Sequence, residues 1–349
     1  MSLQYRGRHF LNSLDFAPAE LRTLVEVALR MKRGAERGHL PGRILALLFF
    51  NASVRTRVSC ETAMARLGGN AIALTPGRDT WNFEDQDGVV MDQNAQEHVR
   101  ELSPVVTSMV DAVGIRKCDL ITVGDAKTSV TDSYAELKKD SFIHAFARFS
   151  KKPVLNLESN AAHPLQHLAD MATLVEKLGE PRGKKYVLSW AWHPKSLPVA
   201  TPHSQMLAAA DLGMDVTILH PPGYDLDADY VGAATQRARQ LGGNVTVTHD
   251  VEAAYKDAKA VCVKSWGSLQ YYGRFDEEVA AKKALRSTWI CDESKMARTA
   301  DGIFMHCLPA RRNVVVTDGV LDSKRSVVVD QAENRLWTVM ALLKELIGG

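Results

Sequence analysis

The sequence predicts an α/β protein made of two doubly wound, parallel-sheet domains linked by helices. Three observations carry this expectation. At 349 residues the chain is long for a single core, so two domains are expected. Continuous apolar runs of strand length recur along it, as in strands buried on both faces. Between them lie segments with apolar residues at helical spacing, and alternation of strand and helix implies a mostly parallel sheet.

Residues 18–36 carry Leu21, Leu24, Val25, Ala28 and Met31 on one helical face, and Pro41-Gly42 punctuates the pattern. Ile44 to Phe50 is the first buried-strand run. Cys60, Ala63, Met64 and Leu67 then share one helical face, and Gly68-Gly69 stops that helix. Ala71 to Leu74 predicts a second strand, and Gly77 to Asp92 an acid-rich loop holding Trp81, Asn82 and Phe83. A helix over 97–110 leads into a short strand over 110–116, ending in Arg116. Residues 122–140 are polar without a period and predict an irregular connection or insertion. A helix over 143–149 and a strand over 153–157, ending at Glu158, close the first half.

In the second half, His163-Pro164-Leu165-Gln166 opens a helix that runs to Leu178, with Pro early, where a missing N–H does no harm. Strands are expected over 184–192, 216–219, 245–248 and 260–263, with helices between them, and two short ones over 289–291 and 303–305. A final amphipathic helix spans 331–347. The domains are therefore expected at 1–160 and 161–330, with the last helix returning to the first.

Composition narrows the function. A net charge of +2 argues against nucleic acid as a partner. The five cysteines are odd in number and scattered without a C-x-x-C pair, which predicts a reducing compartment and no zinc ribbon. The N-terminal residues lack an apolar signal core, and no run reaches membrane-spanning length, so a cytoplasmic protein is expected. No G-x-G-x-x-G follows a strand, and Gly179 to Gly183 is too short for a P-loop, which weighs against a dinucleotide-dependent oxidoreductase.

Four places concentrate chemistry. Asn51-Ala52-Ser53-Val54-Arg55-Thr56-Arg57 gathers a capping residue, hydroxyls and two guanidiniums at one helix start, a setting for a phosphate. His163 and His167 are spaced to share a metal, but no third ligand is suggested nearby, so no metal is expected. His163 and Gln166 suit a carbonyl and an amide better, one to polarise and one to orient. In His306-Cys307-Leu308-Pro309-Ala310-Arg311, Cys307 has no base beside it in sequence, whereas backbone carbonyls before Pro309 and the Arg311 guanidinium suit an amide and a carboxylate. Arg335, read in the first turn of the last helix, opposes the dipole preference there and favours an anion partner. Trp81 is either core or a mobile lid.

Taken together, Ser53-Val54-Arg55-Thr56-Arg57, Gly114-Ile115-Arg116, His163-Pro164-Leu165-Gln166, His306-Cys307-Leu308-Pro309-Ala310-Arg311 and Glu333-Asn334-Arg335 resemble the transcarbamoylases, in order and across nearly the whole chain. The resemblance implies a transcarbamoylase-type fold, a carbamoyl-phosphate-binding first domain, an amino-acid-binding second domain and a homotrimer with shared active sites, without a cofactor. It implies that Ser53, Val54, Arg55 and Thr56 bind the phosphate with Arg335. Arg116, His163 and Gln166 would hold the carbamoyl group, and Cys307 and Leu308 would offer backbone carbonyls to it.

Ordinary ornithine enzymes carry an Asp-Gly-Asn-Asn run and a Ser-Met-Gly-Glu loop where this chain has Trp190 to Leu197 and Lys264-Ser265-Trp266-Gly267. These segments, with Trp81 and Phe49-Phe50-Asn51, resemble the branch acting on N-acylated ornithine. By that resemblance Glu158, Lys264, Leu308 and Arg311 meet the acylornithine, Gln96 lies at its acyl end, and Trp81 closes over a neighbouring subunit's site. The acetyl branch carries Glu, Asn and Lys where this chain has Gln96, Pro198 and Val315. The succinyl branch has Pro at the first place and apolar or Pro residues at the others. The reading leans to succinyl, with acetyl close behind. Ordinary ornithine transfer and a non-catalytic metabolite-binding relative are the alternatives.

Overall fold

A computed structural model describes residues 5–119 and 133–348. Their contacts divide them into two units, one of 5–119, 137–165 and 335–348, the other of 133–136 and 166–334. The division falls inside two helices, after Leu165 and before Arg335.

The first unit is built on a parallel sheet of β1 (Ile44–Phe49), β2 (Asn70–Leu74), β5 (Ala112–Arg116) and β6 (Val154–Glu158), in the order β2-β1-β5-β6. Helices α1 (Pro18–Lys32), α2 (Val54–Arg66), α3 (Val99–Met109) and α4 (Ser141–Phe149) accompany it. Strands buried on both faces explain the unbroken apolar runs: Leu45 to Phe49 and Ala112 to Arg116 are all buried. One core cluster joins Ala46, Leu48, Val113 and Ile115 of the sheet to Val99, Phe142 and Phe146. Gly114 sits where a Cβ would lie 3.0 Å from both Leu47 and Leu157 side chains, so the side chains of the two flanking strands, β1 and β6, close over the β5 backbone there. A separate pair, β3 (Asn82–Glu84) and β4 (Ala95–His98), completes this unit.

The second unit holds a five-stranded parallel sheet of β7 (Lys185–Trp190), β8 (Asp215–Leu219), β9 (Asn244–Thr248), β10 (Ala260–Lys264) and β11 (Ile303–Met305), in the order β11-β10-β7-β8-β9. Helices α5 (Pro164–Leu178), α6 (Ala200–Ala210), α7 (Ala228–Gln240) and α8 (Val328–Ile347) follow in chain order, α5 and α8 being the two that cross the division. In each sheet the strand order reverses once, between β1 and β5 and between β7 and β10. Ligands of open α/β sheets bind outside the carboxyl ends of strands at such reversals. Arg116 ends β5 at the first of these places and Lys264 ends β10 at the second, whereas Glu158 ends the neighbouring β6.

Several expected boundaries move. The first helix ends at Lys32, and Gly34 follows with φ +73°. The 77–92 loop contains β3, and pairing with it keeps 95–98 extended, so α3 starts at Val99. Trp289 to Cys291 is not a strand: a 3-10 turn over Lys282–Leu285 precedes it, and Cys291 makes only an isolated bridge to Val316. The last helix begins at Val328, which moves Arg335 from the first turn to the third and removes the dipole argument made for it. In the 122–140 segment, Tyr134–Leu137 forms one helical turn, and 122–132 lie outside the described residues. Among the described residues, no helix is long and apolar enough to cross a membrane.

Candidate active site

In the first unit the site is built on the start of α2. Ser53 is its N-cap, with extended backbone, and its Oγ accepts from the Thr56 N–H at 3.4 Å. The same hydroxyl donates to Thr56 Oγ1 at 3.0 Å. Asn51 is used elsewhere: its Oδ1 accepts from the Cys118 N–H at 2.7 Å and ties the end of β1 to the end of β5. Helix geometry leaves the first N–H groups without intrahelical partners, and these belong to Val54, which is exposed, and Arg55. Arg335 reaches the same place from α8, its Nη1 donating to Thr56 Oγ1 at 3.1 Å. Thr56 and Arg335 are both buried, so a fixed hydroxyl and a guanidinium stand behind the helix start. Arg57 pairs with Glu61 on its own helix at 2.9 Å. A cavity of about 540 Å³ adjoins it, lined by Phe49, Ser53, Val54, Arg57, Thr75 and Arg78.

At the ends of β5 and β6, in register, Arg116 and Glu158 form a buried ion pair. His163 Nε2 lies 3.6 Å from the same carboxylate. The pairing consumes one Arg116 nitrogen, while its buried Nε has no hydrogen-bond partner among the described residues. Such a donor costs free energy unless a ligand oxygen meets it.

Trp81 and Gln96 belong to the β3–β4 pair. Trp81 is 51% exposed, and its Nε1 donates to Glu97 at 2.8 Å. Asn82 pairs with Ala95 and Phe83 with Glu97, so Gln96 is the extra residue of a bulge, with an exposed side chain. Bulges re-aim side chains. Of the two sequence readings, Trp81 is therefore surface, not core.

In the second unit, Gln166 lies in the first turn of α5, and its Nε2 donates to Asp170 Oδ1 at 2.6 Å. Gln331 Nε2, from α8, donates to that oxygen at 2.6 Å. The Gln331 Oε1 accepts the His306 N–H at 2.9 Å, and His306 Nδ1 accepts the Leu308 N–H at 2.9 Å. One buried carboxylate thus fixes Gln166 and, through Gln331, the loop of Cys307 and Leu308. Leu308 has φ +56° and precedes a cis bond to Pro309. The loop leaves Gln166 Oε1 buried without a partner among the described residues, an acceptor for an N–H donor.

Lys264 closes β10 and Arg311 follows the Cys307 loop; Arg311 Nε donates to His193 Nε2 at 3.0 Å. Burial, with the nearby charges of Arg311, Lys264 and Lys282, pushes the His193 imidazole down to about 4, so it is neutral at physiological pH. Pro198 and Val315 are buried. His167 faces Asp211, with Nε2 3.2 Å from its carboxylate, and both are buried.

The fold therefore gathers Ser53, Thr56 and Arg335 in one bonded group and Arg116, Glu158 and His163 in another, and it fixes Gln166 beside the Cys307 loop. Sequence reasoning missed the roles of Asp170, Gln331 and His193. Asp170 follows Gln166 by one helical turn, a spacing that offers it as a partner. Nothing local marked the other two.

Comparison with known proteins adds the following. The carbamoyl-P binding domain of aspartate/ornithine carbamoyltransferase matches residues 8–176, and the Asp/Orn binding domain of the same family matches 199–346. An N-acetylornithine carbamoyltransferase of Xanthomonas campestris pv. campestris is 41% identical over 344 residues, 98% of each chain. An N-succinylornithine carbamoyltransferase of Bacteroides thetaiotaomicron is 34% identical over 309 residues, 88% of each. A crystal structure of acetylornithine transcarbamylase complexed with acetylcitrulline superposes with a TM-score of 0.92 at 40% identity, covering 98% of this chain and 100% of that one.

Proposed function

Because the chain belongs to the aspartate/ornithine carbamoyltransferase family, with its two-domain fold, we propose that it moves the carbamoyl group of carbamoyl phosphate to the δ-amine of an N-acyl-L-ornithine. The products are an N-acylcitrulline and phosphate. The observation that carries the proposal is the Ser53–Thr56–Arg335 cradle at the α2 N-terminus, accompanied by the open Arg116 Nε–H.

Residues of the first unit receive carbamoyl phosphate. The backbone N–H groups of Val54 and Arg55, with the side chains of Ser53, Arg55, Thr56 and Arg335, hold the phosphate, where the helix dipole and guanidiniums favour a dianion. Arg55, Thr56, Arg116 and His163 surround the carbonyl oxygen, on which negative charge develops. In the second unit, Gln166 Oε1 and the backbone carbonyls of Cys307 and Leu308 take the carbamoyl NH2 and the incoming amine. Glu158, Lys264, Leu308 and Arg311 meet the acylornithine, Lys264 and Arg311 by virtue of charge. Trp81 and Gln96, both exposed, act on the site of a neighbouring copy in a homotrimer.

The δ-amine nitrogen attacks the carbonyl carbon, and the C–O bond to phosphate breaks with its electron pair leaving on phosphate. The departing phosphate accepts the amine's proton, so no protein base is required. Catalysis rests on positioning and on cationic stabilisation of the tetrahedral oxyanion. Replacing Arg55 by Ala is expected to lower kcat by about 100-fold or more, the loss typical of one oxyanion donor. Turnover within threefold of the unsubstituted chain would contradict this assignment.

For the acyl group, whole-chain identity supports acetyl as the first reading, 41% against 34% for the succinyl relative. A specific observation supports succinyl as the second: the bulge residue Gln96 is uncharged where the acetyl branch carries Glu, so it does not repel a second carboxylate.

A further inference from the structure

We propose that Asp140 is a positioning residue for carbamoyl transfer: its carboxylate holds the turn over 159–162 and, through that turn, the spacing of His163 from the Arg116–Glu158 pair. The inference rests on the function proposed above, which places Arg116 and His163 around the carbonyl oxygen.

Asp140 stands at the start of α4, and its local geometry is unfavourable in two respects. Its backbone is left-handed, with φ +49° and ψ +45°, a region that residues with side chains rarely enter and that persists only where the surroundings enforce it. Its side chain also gives up the usual role of an aspartate at a helix start, since it makes no capping hydrogen bond to α4. Asp227, Asp250 and Asp292 stand at other helix starts, and each accepts from its own helix. The Asp140 carboxylate is spent on a distant segment instead: its Oδ1 accepts the Asn160 N–H at 2.9 Å.

Residues 159–162 join Glu158, at the end of β6, to His163. The Ser159 N–H donates to the Ala162 carbonyl at 2.9 Å, and the Ala162 N–H donates to Ser159 Oγ at 3.2 Å, so the turn is closed on itself. Ser159, Asn160 and His163 are buried. The Asn160 side chain ties the turn to two other segments: its Oδ1 accepts the Asp119 N–H at 2.7 Å, and its Nδ2 donates to Asp119 Oδ2 at 3.2 Å and to the Leu137 carbonyl at 3.3 Å. Those bonds act through rotatable side-chain torsions. Asp140 grips the main chain, so it constrains the path from Glu158 to His163 more directly. The outcome of that path is the 3.6 Å separation of His163 Nε2 from the Glu158 carboxylate, which also pairs with Arg116. Burial pushes the Asp140 carboxyl up to about 6, while hydrogen bonds from Ser159, Asn160 and Ala161 oppose the shift. It is therefore mostly ionised at neutral pH, and an ionised acceptor makes the stronger hydrogen bond.

The test is steady-state kinetics of the full chain at pH 8, with each substrate varied in turn. Asp140→Gly suits the positive φ and deletes the carboxylate. Asp140→Ser offers α4 a capping hydroxyl but falls short of Asn160. Asp140→Asn keeps a carbonyl acceptor of the same reach and tolerates the left-handed backbone. The expected result is a kcat lowered about tenfold in Asp140→Gly and Asp140→Ser, the weight of one hydrogen bond to a charged group. In both, the KM for acylornithine stays within twofold, because the group displaced serves the developing oxyanion. Asp140→Asn recovers most of the loss. If the Gly and Ser variants keep kcat within twofold, the inference is overturned and the proposed function stands. An equal loss in kcat and in both KM values, unrelieved in Asp140→Asn, also overturns it, since that marks a merely structural role. If the unsubstituted chain carbamoylates no acylornithine, the proposed function is overturned and takes the inference with it.

Discussion

At the scale of single residues, the site is made of groups whose hydrogen-bonding capacity is only partly spent. Arg116 gives one nitrogen to Glu158 and keeps a buried Nε–H. Gln166 gives its NH2 to Asp170 and keeps a buried carbonyl oxygen. The two leftovers have opposite polarity, donor and acceptor, and the proposed function assigns the first to the carbamoyl oxygen and the second to the carbamoyl NH2. Asp170 sets the second of them, because a carboxylate accepts only the NH2 side of an amide. Asp170→Asn brings an NH2 of its own and no longer dictates the Gln166 orientation. Its kcat/KM for carbamoyl phosphate is expected to fall about tenfold or more, the range of a charge-assisted hydrogen bond. Unchanged steady-state kinetics in that variant would show that the Gln166 amide is held by something else. The Ser53 cap and the Thr56 hydroxyl were legible in the sequence because a helix start and its hydroxyls are neighbours in the chain. The Asp170–Gln331 bond spans 161 residues and Arg311–His193 spans 118, and no local pattern encodes contacts at that separation.

At the scale of elements, alternation of buried strand and amphipathic helix was legible through both halves, because strands covered on both faces write themselves as apolar runs. The failures have physical causes. Val328-Val329 is β-branched and lies before the helix expected from 331, yet it opens α8, and Val329 is 74% exposed there. Trp289-Ile290-Cys291 is apolar because it packs, not because it pairs. The β3–β4 pair was hidden in a polar loop, since short exposed strands have no apolar period to show. That pair carries the bulge at Gln96, and the bulge makes a prediction at this scale. Gln96→Glu places a negative charge on the exposed bulge while leaving the pairing of Phe83 with Glu97 intact. It is expected to lower kcat/KM for N-succinylornithine at least tenfold relative to N-acetylornithine, as measured by competition between the two. An unchanged ratio would remove Gln96 from the acyl end of the site.

At the scale of the whole molecule, the chain divides its chemistry as it divides its sheets. One unit gathers the helix start and cations suited to a phosphate and a carbonyl oxygen. The other gathers an amide, a loop of strained backbone and two cations suited to an amine-bearing carboxylate. Arg116 and Lys264 end strands at the two reversals of strand order, the places where open α/β sheets take ligands. The central claim is carbamoyl transfer to an acylated ornithine, and ureido product is its direct readout. The measurement is product formed from carbamoyl phosphate with ornithine, N-acetylornithine and N-succinylornithine in parallel. The account predicts rapid product with at least one acylated amine and little with free ornithine. Turnover of free ornithine alone, or no product with any of the three, would contradict it.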